Sequence, residues 1–137
     1  MELLGVVYAE TKDYEKAVFY LKKAIEINPE LSKAYNDLGT VYGRMGKFDL
    51  AIEQINKAME INPYEADYYY NLAVIYEFLG DNKMAEELLI KALELEPDNT
   101  KVKEKLIKLK SWEQYGKITI KINLIKNSNN KKSIIKI

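Results

Sequence analysis

The chain has 137 residues, with 21 Lys and Arg side chains against 21 Asp and Glu, so its formal net charge is zero. It contains no His and no Cys, which excludes disulfides, thiolate nucleophiles and the usual zinc and iron–sulfur ligand sets. No apolar run reaches the roughly 18 residues of a membrane-spanning helix, and the first residues lack the basic stretch of a signal peptide. This composition predicts a single-domain cytoplasmic protein without a membrane span.

The zero net charge is a cancellation between two unlike segments. Residues 1–98 carry 10 basic and 19 acidic side chains, whereas residues 99–137 carry 11 basic and 2 acidic ones. A segment with a balance of −9 is therefore followed by a segment with a balance of +9. Any role for nucleic acid or an anionic surface would depend on the second segment.

The sequence repeats itself with a period of 34 residues. When residues 4–29 are compared with residues 38–63, 11 of 26 positions are identical, where about two would be expected from ordinary composition. The recurring positions are mostly small, aliphatic or proline: Leu4, Leu38 and Leu72; Ala17, Ala51 and Ala85; Ala24, Ala58 and Ala92; Pro29, Pro63 and Pro97. A repeat of this length indicates an array of stacked supersecondary units.

The first unit is irregular at its start. It begins at Leu4 and Gly5, and Met1 occupies the position where the later units have an aromatic residue. The opening turn of its first helix is therefore predicted to be missing, as in a ragged cap or a fragment of a longer array.

The second unit shows the helix–turn–helix pattern most clearly. Tyr35, Leu38 and Tyr42 are spaced three, four and seven residues apart, which places them on one face of a helix. Gly46 is predicted to end that helix, because glycine tolerates the left-handed conformation of a helix C-terminus. A second helix is predicted from about residue 49 until Pro63, since proline disfavours helix at the residue before it. The third unit repeats this pattern.

One amphipathic helix is predicted after the third unit, from Thr100 to about Gln114. Val102, Leu106 and Leu109 form its apolar face, which is predicted to cover the last repeat, while its lysines face water.

The composition changes again after Gly116. Residues 117–124 alternate between polar and apolar side chains with period two, residues 127–130 are typical of a turn, and residues 134–137 are a second apolar segment. This pattern favours either a β-hairpin packed on the array or on another subunit, or a disordered basic tail. The sequence alone leaves both alternatives open.

The repeat resembles a known family. A 34-residue unit with the motif W-x2-L-G-x2-Y, then A-x3-F, then P, is typical of the tetratricopeptide repeat. This chain has Tyr35-x2-Leu38-Gly39-x2-Tyr42, Ala51-x3-Ile55 and Pro63, and the third unit repeats the pattern. The resemblance implies an all-α, right-handed solenoid. Its units are predicted at residues 1–31, 32–65 and 66–98, followed by a capping helix at 99–115 and a basic tail at 116–137.

The resemblance also implies a concave groove that binds peptides and is lined by the first helix of each unit. Tyr70, Val74 and Phe78 stand out, because the fold itself does not require aromatic or apolar residues there. They could receive an apolar side chain of a peptide, or they could pack under the tail or within a long helix. The predicted groove residues are Lys33, Asn36, Thr40, Arg44, Asp67, Tyr70, Asn71, Val74, Phe78, Lys101, Lys105 and Lys108.

Some members of this family bind C-terminal carboxylates with a clamp of lysine and asparagine side chains. Starting from the second unit, the clamp positions hold Asn36, Thr40, Asn71, Lys101 and Lys105, of which three agree in type with the clamp. Starting from the first unit, they hold Glu2, Val6, Asp37, Asp67 and Asn71, which does not fit a carboxylate. Basic side chains suit an acidic or C-terminal carboxylate group physically. The competing interpretation is that Lys101 and Lys105 are solvated residues of the cap.

Other classes of function find less support. The lysines of residues 99–137 are dispersed, that segment contains no Arg, and Trp112 and Tyr115 are its only aromatic residues, which argues against nucleic acid. Serines have no His partner and the glycines form no phosphate-binding loop, so we predict no catalytic residue, no metal and no cofactor.

We therefore predict a protein–protein interaction scaffold or adaptor that holds an extended peptide or a partner helix in its groove. The first alternative is self-assembly into a homo-oligomer through the irregular first repeat and the tail. The second is binding of nucleic acid or an anionic surface by the basic end. A further interpretation is intramolecular, with the basic tail resting against the acidic array.

Overall fold

The computed structural model describes the backbone of residues 1–135, and the side chains of these residues other than 112, 113, 115 and 129–135. Within this part of the chain the protein is entirely helical. Its seven helices are α1 (Glu2–Glu10), α2 (Tyr14–Ile27), α3 (Ser32–Arg44), α4 (Phe48–Ile61), α5 (Ala66–Phe78), α6 (Asn82–Leu95) and α7 (Thr100–Ile135).

The helices stack as a solenoid. Each of α1, α3 and α5 packs against the helix that follows it, and α2, α4 and α6 each contact the first helix of the next pair. In addition α3 contacts both α1 and α5, so the first helices of successive pairs lie side by side. These first helices form one face of the array, and the groove residues predicted for α3 and α5 lie on them.

Small residues let the paired helices come close. Ala51, Ala58, Ala85 and Ala92 are completely buried, and the large side chains Leu21, Ile55 and Leu89 fill the space beside them. The closest approach is between α3 and α4: a methyl group at Gly39 would lie 2.5 Å from Ile55 Cγ1 and 2.9 Å from the carbonyl oxygen of Ala51. The burial of these recurring small residues places them in the contacts between paired helices.

The turns inside the helix pairs also follow the repeat. Gly46 and Gly80 have φ angles of 77° and 86°, in the left-handed region that glycine adopts at little cost. Lys12 occupies the same position in the first pair with φ 64°. The helices before the three prolines end at Ile27, Ile61 and Leu95, two residues before each proline.

Exposure distinguishes the first unit from the others. Leu38 and Leu72 are buried at the recurring leucine position, whereas Leu4 is 44% exposed. Leu38 and Leu72 belong to one core cluster that joins residues of successive helix pairs, whereas Leu4 does not belong to it.

The last helix is longer than predicted. It passes through Gly116 and continues to Ile135, whereas the sequence predicted an end near Gln114. Residues 117–124 are helical rather than extended, which corrects the β-hairpin alternative for this segment. A strand needs a hydrogen-bonded neighbour, and residues 1–135 contain no strand, whereas a helix satisfies its own backbone groups. The second predicted strand, 134–137, extends beyond the described residues.

The continuation of α7 leaves several aliphatic side chains in solvent. Ile118, Ile120, Ile122, Leu124 and Ile125 are each about half exposed or more. Alternation with period two cannot produce a single apolar stripe on a helix, because helical neighbours on one face are three or four residues apart. Among the described residues, no helix is long and apolar enough to cross a membrane.

Candidate functional site

A cavity of about 600 Å³ opens on the face formed by α3 and α5. We call it the groove cavity. Seven of the twelve predicted groove residues line it: Thr40, Arg44, Tyr70, Asn71, Val74, Phe78 and Lys105. The other predicted residues, Lys33, Asn36, Asp67, Lys101 and Lys108, lie outside its lining.

One side of the groove cavity is aromatic. The rings of Phe48 and Phe78 lie with their centroids 5.0 Å apart at an angle of 34°. Phe78 is nevertheless 74% exposed, and Val74 is exposed beside it. The side chains of Val74 and Phe78 are therefore not packed under the tail, and they form an apolar surface that is open to solvent.

Phe48 and Ile75 also line the cavity, although the sequence did not indicate either of them. Ile75 follows directly after Val74 on α5. Phe48 is the first residue of α4, whereas the predicted groove residues all lie on α3, α5 or α7. Phe48 could have been predicted as a groove residue from its position, because an aromatic residue two positions after the turn glycine Gly46 lies next to the end of α5 in a stacked array.

A second, smaller recess of about 220 Å³ adjoins the groove cavity on the side of α1. We call it the acidic recess. Its lining is Val6, Ala9, Glu10, Leu21, Asn36, Asp37, Thr40, Val41, Arg44 and Asn71. Thr40, Arg44 and Asn71 line both spaces, so the two adjoin each other on α3, and we call them together the channel.

Two amide side chains that lie between the two spaces are hydrogen-bonded to each other. Asn71 Nδ2 on α5 donates a hydrogen bond of 3.1 Å to Asn36 Oδ1 on α3. Asn36 is buried, and Thr40 Oγ1 donates to the carbonyl oxygen of Asn36 at 2.8 Å. These contacts hold the polar floor of the channel in one arrangement, so that part of the site is preorganised.

Asp37 is the most perturbed carboxyl group of this region. Desolvation by burial raises its pKa to about 6, the positive charge of Lys33 opposes that rise, and the negative charge of Glu2 adds to it. Its Oδ2 atom is buried and has no hydrogen-bond partner among the described residues. The sequence analysis had placed Asp37 only in a clamp register that did not fit.

The predicted basic residues of the groove are mostly paired with acidic neighbours. Lys101 Nζ lies 3.2 Å from Asp67 Oδ1 and 4.4 Å from the centre of the Tyr70 ring. Lys105 Nζ lies 3.0 Å from Glu77 Oε2.

Two further pairs extend this pattern. Lys33 Nζ lies 3.9 Å from Glu2 Oε1, and on the other side of α7 Lys110 Nζ lies 3.5 Å from Glu86 Oε1. The basic start of α7 therefore rests against the acidic array. Lys101 and Lys105 belong to this contact, so they are not simply solvated residues of the cap. The intramolecular interpretation concerned the basic tail, and for that segment it stays a prediction.

No group of three or more Asp and Glu side chains in the described part of the chain is arranged to hold a metal ion. The side chains that line the two spaces offer apolar contact, hydrogen bonding and charge for recognition.

The family models agree with the repeat pattern. Residues 30–97 match one model of the tetratricopeptide repeat and residues 3–31 match another. The chain belongs to the tetratricopeptide repeat family, as the resemblance of its motifs had indicated. Among curated protein sequences, none matches it at a significant level.

Several solved structures have a similar fold. The first tetratricopeptide repeat domain of Spaghetti (RPAP3), bound to the HSP90 peptide SRMEEVD, is 22% identical, with a TM-score of 0.78 over 82% of this chain and 92% of that one. The Arabidopsis OM64 domain is 25% identical, with a TM-score of 0.76 over 80% and 91%. YrrB, described as having an unusual peptide-binding site, is 29% identical, with a TM-score of 0.71 over 76% of this chain and 54% of that one.

Proposed function

We propose that this protein is an interaction scaffold whose groove cavity binds an extended peptide or a partner helix through an apolar anchor. The observation that carries this proposal is the solvent-open apolar surface formed by Phe48, Val74 and Phe78 inside a concave face. An apolar surface of this kind gains free energy when a partner side chain covers it, at about 25 cal/mol for each Å² removed from water. The binding of peptides by related folds supports the same function.

The test is a positional-scanning array of N-acetylated, C-amidated octapeptides, read with the fluorescently labelled protein. We expect selection of an aromatic or large aliphatic residue at one peptide position. Phe78→Ser should weaken binding of the selected peptides about tenfold, because losing roughly 1.4 kcal/mol of apolar contact changes the dissociation constant by that factor.

Tyr64 offers a matched control for this variant. It is aromatic and 77% exposed, close to the exposure of Phe78, but it does not line the groove cavity. Tyr64→Ser should leave the selected peptides bound as tightly as in the wild type. Equal losses in the two variants, or no apolar selection at all, would contradict the proposal.

A finer proposal concerns the end of the groove cavity next to α7, where Asn71 and Lys105 both line the cavity and Lys101 lies one helical turn before Lys105. We propose that an acidic side chain or a C-terminal carboxylate of the partner binds there by displacing Asp67 or Glu77 from these lysines. Hydrogen bonds to charged groups are stronger than neutral ones, which gives such an exchange a physical basis. The alternatives of homo-oligomer assembly and of nucleic-acid or anionic-surface binding stay predictions.

Calorimetric titration of an acidic pentapeptide in its free-acid and amidated forms tests the carboxylate proposal. Amidation should weaken binding about three- to tenfold. This effect is smaller than the effect expected at an unpaired lysine, because Asp67 and Glu77 compete with the peptide for the charges of Lys101 and Lys105. Lys105→Gln should remove the difference between the two peptide forms. Identical affinities of the two forms for the wild-type protein would rule the carboxylate site out.

A further inference from the structure

The acidic recess contains a carboxylate that the fold does not satisfy. Asp37 Oδ2 is buried and has no hydrogen-bond partner in the described residues, although a buried ionised oxygen normally accepts two or more hydrogen bonds. The nearby amide of Asn71 does not serve it, because Asn71 Nδ2 donates to Asn36 Oδ1 rather than to Asp37. Asp37 lines the acidic recess, which shares Thr40, Arg44 and Asn71 with the groove cavity.

The surrounding charges do not compensate Asp37 at contact distance. Lys33, the cation whose field acts on Asp37, has its ion pair with Glu2 at 3.9 Å. On the α5 side, Asp67 is paired with Lys101 at 3.2 Å. Glu2 and Asp67 thus each have an ion pair, whereas Asp37 has none in the described part of the chain.

Burying an ionised carboxylate without a partner costs free energy, and a partner that brings a cation recovers it. A lysine or arginine side chain of a bound peptide supplies such a cation, with its own N–H donors. A carboxylate entering the same recess would meet two like charges, Asp37 and Glu10, and one cation, Arg44, so the net negative charge of the lining opposes it.

We propose that the acidic recess selects a basic residue of the bound peptide, whose ammonium or guanidinium group donates to Asp37 Oδ2 while an apolar residue of the same peptide occupies the groove cavity. This inference rests on the proposed peptide binding and adds the direction in which the peptide lies. The basic residue lies towards α1, and the apolar residue lies towards the end of α5.

The octapeptide array tests this inference when Lys and Arg are compared with norleucine and citrulline, their uncharged counterparts. For the wild-type protein, peptides with Lys or Arg at one position close to the apolar residue should bind about tenfold more tightly than peptides with the uncharged counterpart there. Asp37→Asn should abolish that preference and keep the preference for the apolar residue. Selection of Asp or Glu at that position would overturn the inference.

Glu65→Gln is the matched control, since it removes a carboxylate charge that, like the charge of Asp37, acts on Tyr68. Because Glu65 is exposed and lines neither space, this variant should leave most of the basic preference in place. An equal loss in both variants would show that only the overall negative charge matters, which overturns the role of Asp37. If the apolar selection also disappears from the wild-type array, the proposed function itself fails, so the two failures are distinguishable.

A second measurement needs no variant. The charged and titratable groups around Asp37 are Glu2 and Glu10 on α1, Lys33 and Arg44 on α3, and Tyr68 on α5. With a pKa of about 6, Asp37 loses its charge between pH 7.5 and 5, so the basic preference should fall as the pH is lowered through 6. A preference that stays constant down to pH 5 would contradict binding by the Asp37 carboxylate.

Discussion

Replacing Leu72 with alanine should lower the free energy of unfolding by about 2–5 kcal/mol, the range for deleting a buried leucine side chain. Leu72 lies on α5 and is 3% exposed. Its side chain belongs to the core cluster that contains Leu38 and Ile55 of the preceding helix pair. The substitution therefore leaves a cavity at the junction between two helix pairs, where the array depends on contacts between neighbours.

The control for this prediction is the leucine at the same position of the first helix pair. Leu4 is 44% exposed, so Leu4→Ala removes less buried surface than Leu72→Ala. We expect a loss of less than about 1 kcal/mol for Leu4→Ala. Urea denaturation followed by circular dichroism measures both values, and similar losses would mean that stacking of the pairs does not bury Leu72 as described.

The repeat explains why most of the fold could be predicted from the sequence. A residue such as Ala51 or Pro63 recurs at a fixed spacing because each helix pair meets its neighbours in the same way. Burial at one position therefore implies burial at the corresponding positions. The positions that face the groove follow from the same geometry, which is why Thr40, Asn71 and Val74 line the cavity as predicted.

The parts that could not be predicted depend on contacts that the repeat does not specify. Phe48 contacts Phe78 because the start of α4 lies beside the end of α5. At the corresponding positions of the repeat, 34 residues earlier and later, the two residues are not both aromatic. The pairing of Lys101 with Asp67 spans one period and could have been predicted from it. The pairing of Lys105 with Glu77 spans 28 residues and could not.

Asp37 and α7 show two other reasons for failure. Burial of the Asp37 carboxylate depends on how α1 and α5 cover that part of α3, which residue spacing does not reveal. In α7, the alternation of residues 117–124 favours a strand locally, but a strand requires a pairing partner that this chain does not provide in residues 1–135. Local pattern and tertiary context disagree there, and the tertiary context determines the helix.

The contact between α3 and α4 gives the second large prediction. Gly39→Ala should lower the free energy of unfolding by about 1–3 kcal/mol, because the added methyl would overlap Ile55 and the backbone oxygen of Ala51. The side chain of Ile55 can rotate away, but the oxygen of Ala51 moves only if α4 shifts. The gain of up to about 1 kcal/mol in helix propensity opposes this cost without cancelling it.

Gly43 provides the matched control one turn later on the same helix. A methyl group at Gly43 would have its nearest neighbour, Ile75 Cγ1, at 3.8 Å, which is an ordinary contact. Gly43→Ala should therefore be neutral or stabilising by up to about 1 kcal/mol. Ala73 occupies the position on α5 that corresponds to Gly39 on α3, and it is buried. The repeat therefore accommodates a methyl group at this position in the third helix pair. Opposite signs for the two glycine variants in urea denaturation would therefore locate the constraint in the α3–α4 contact, and equal stabilities would contradict it.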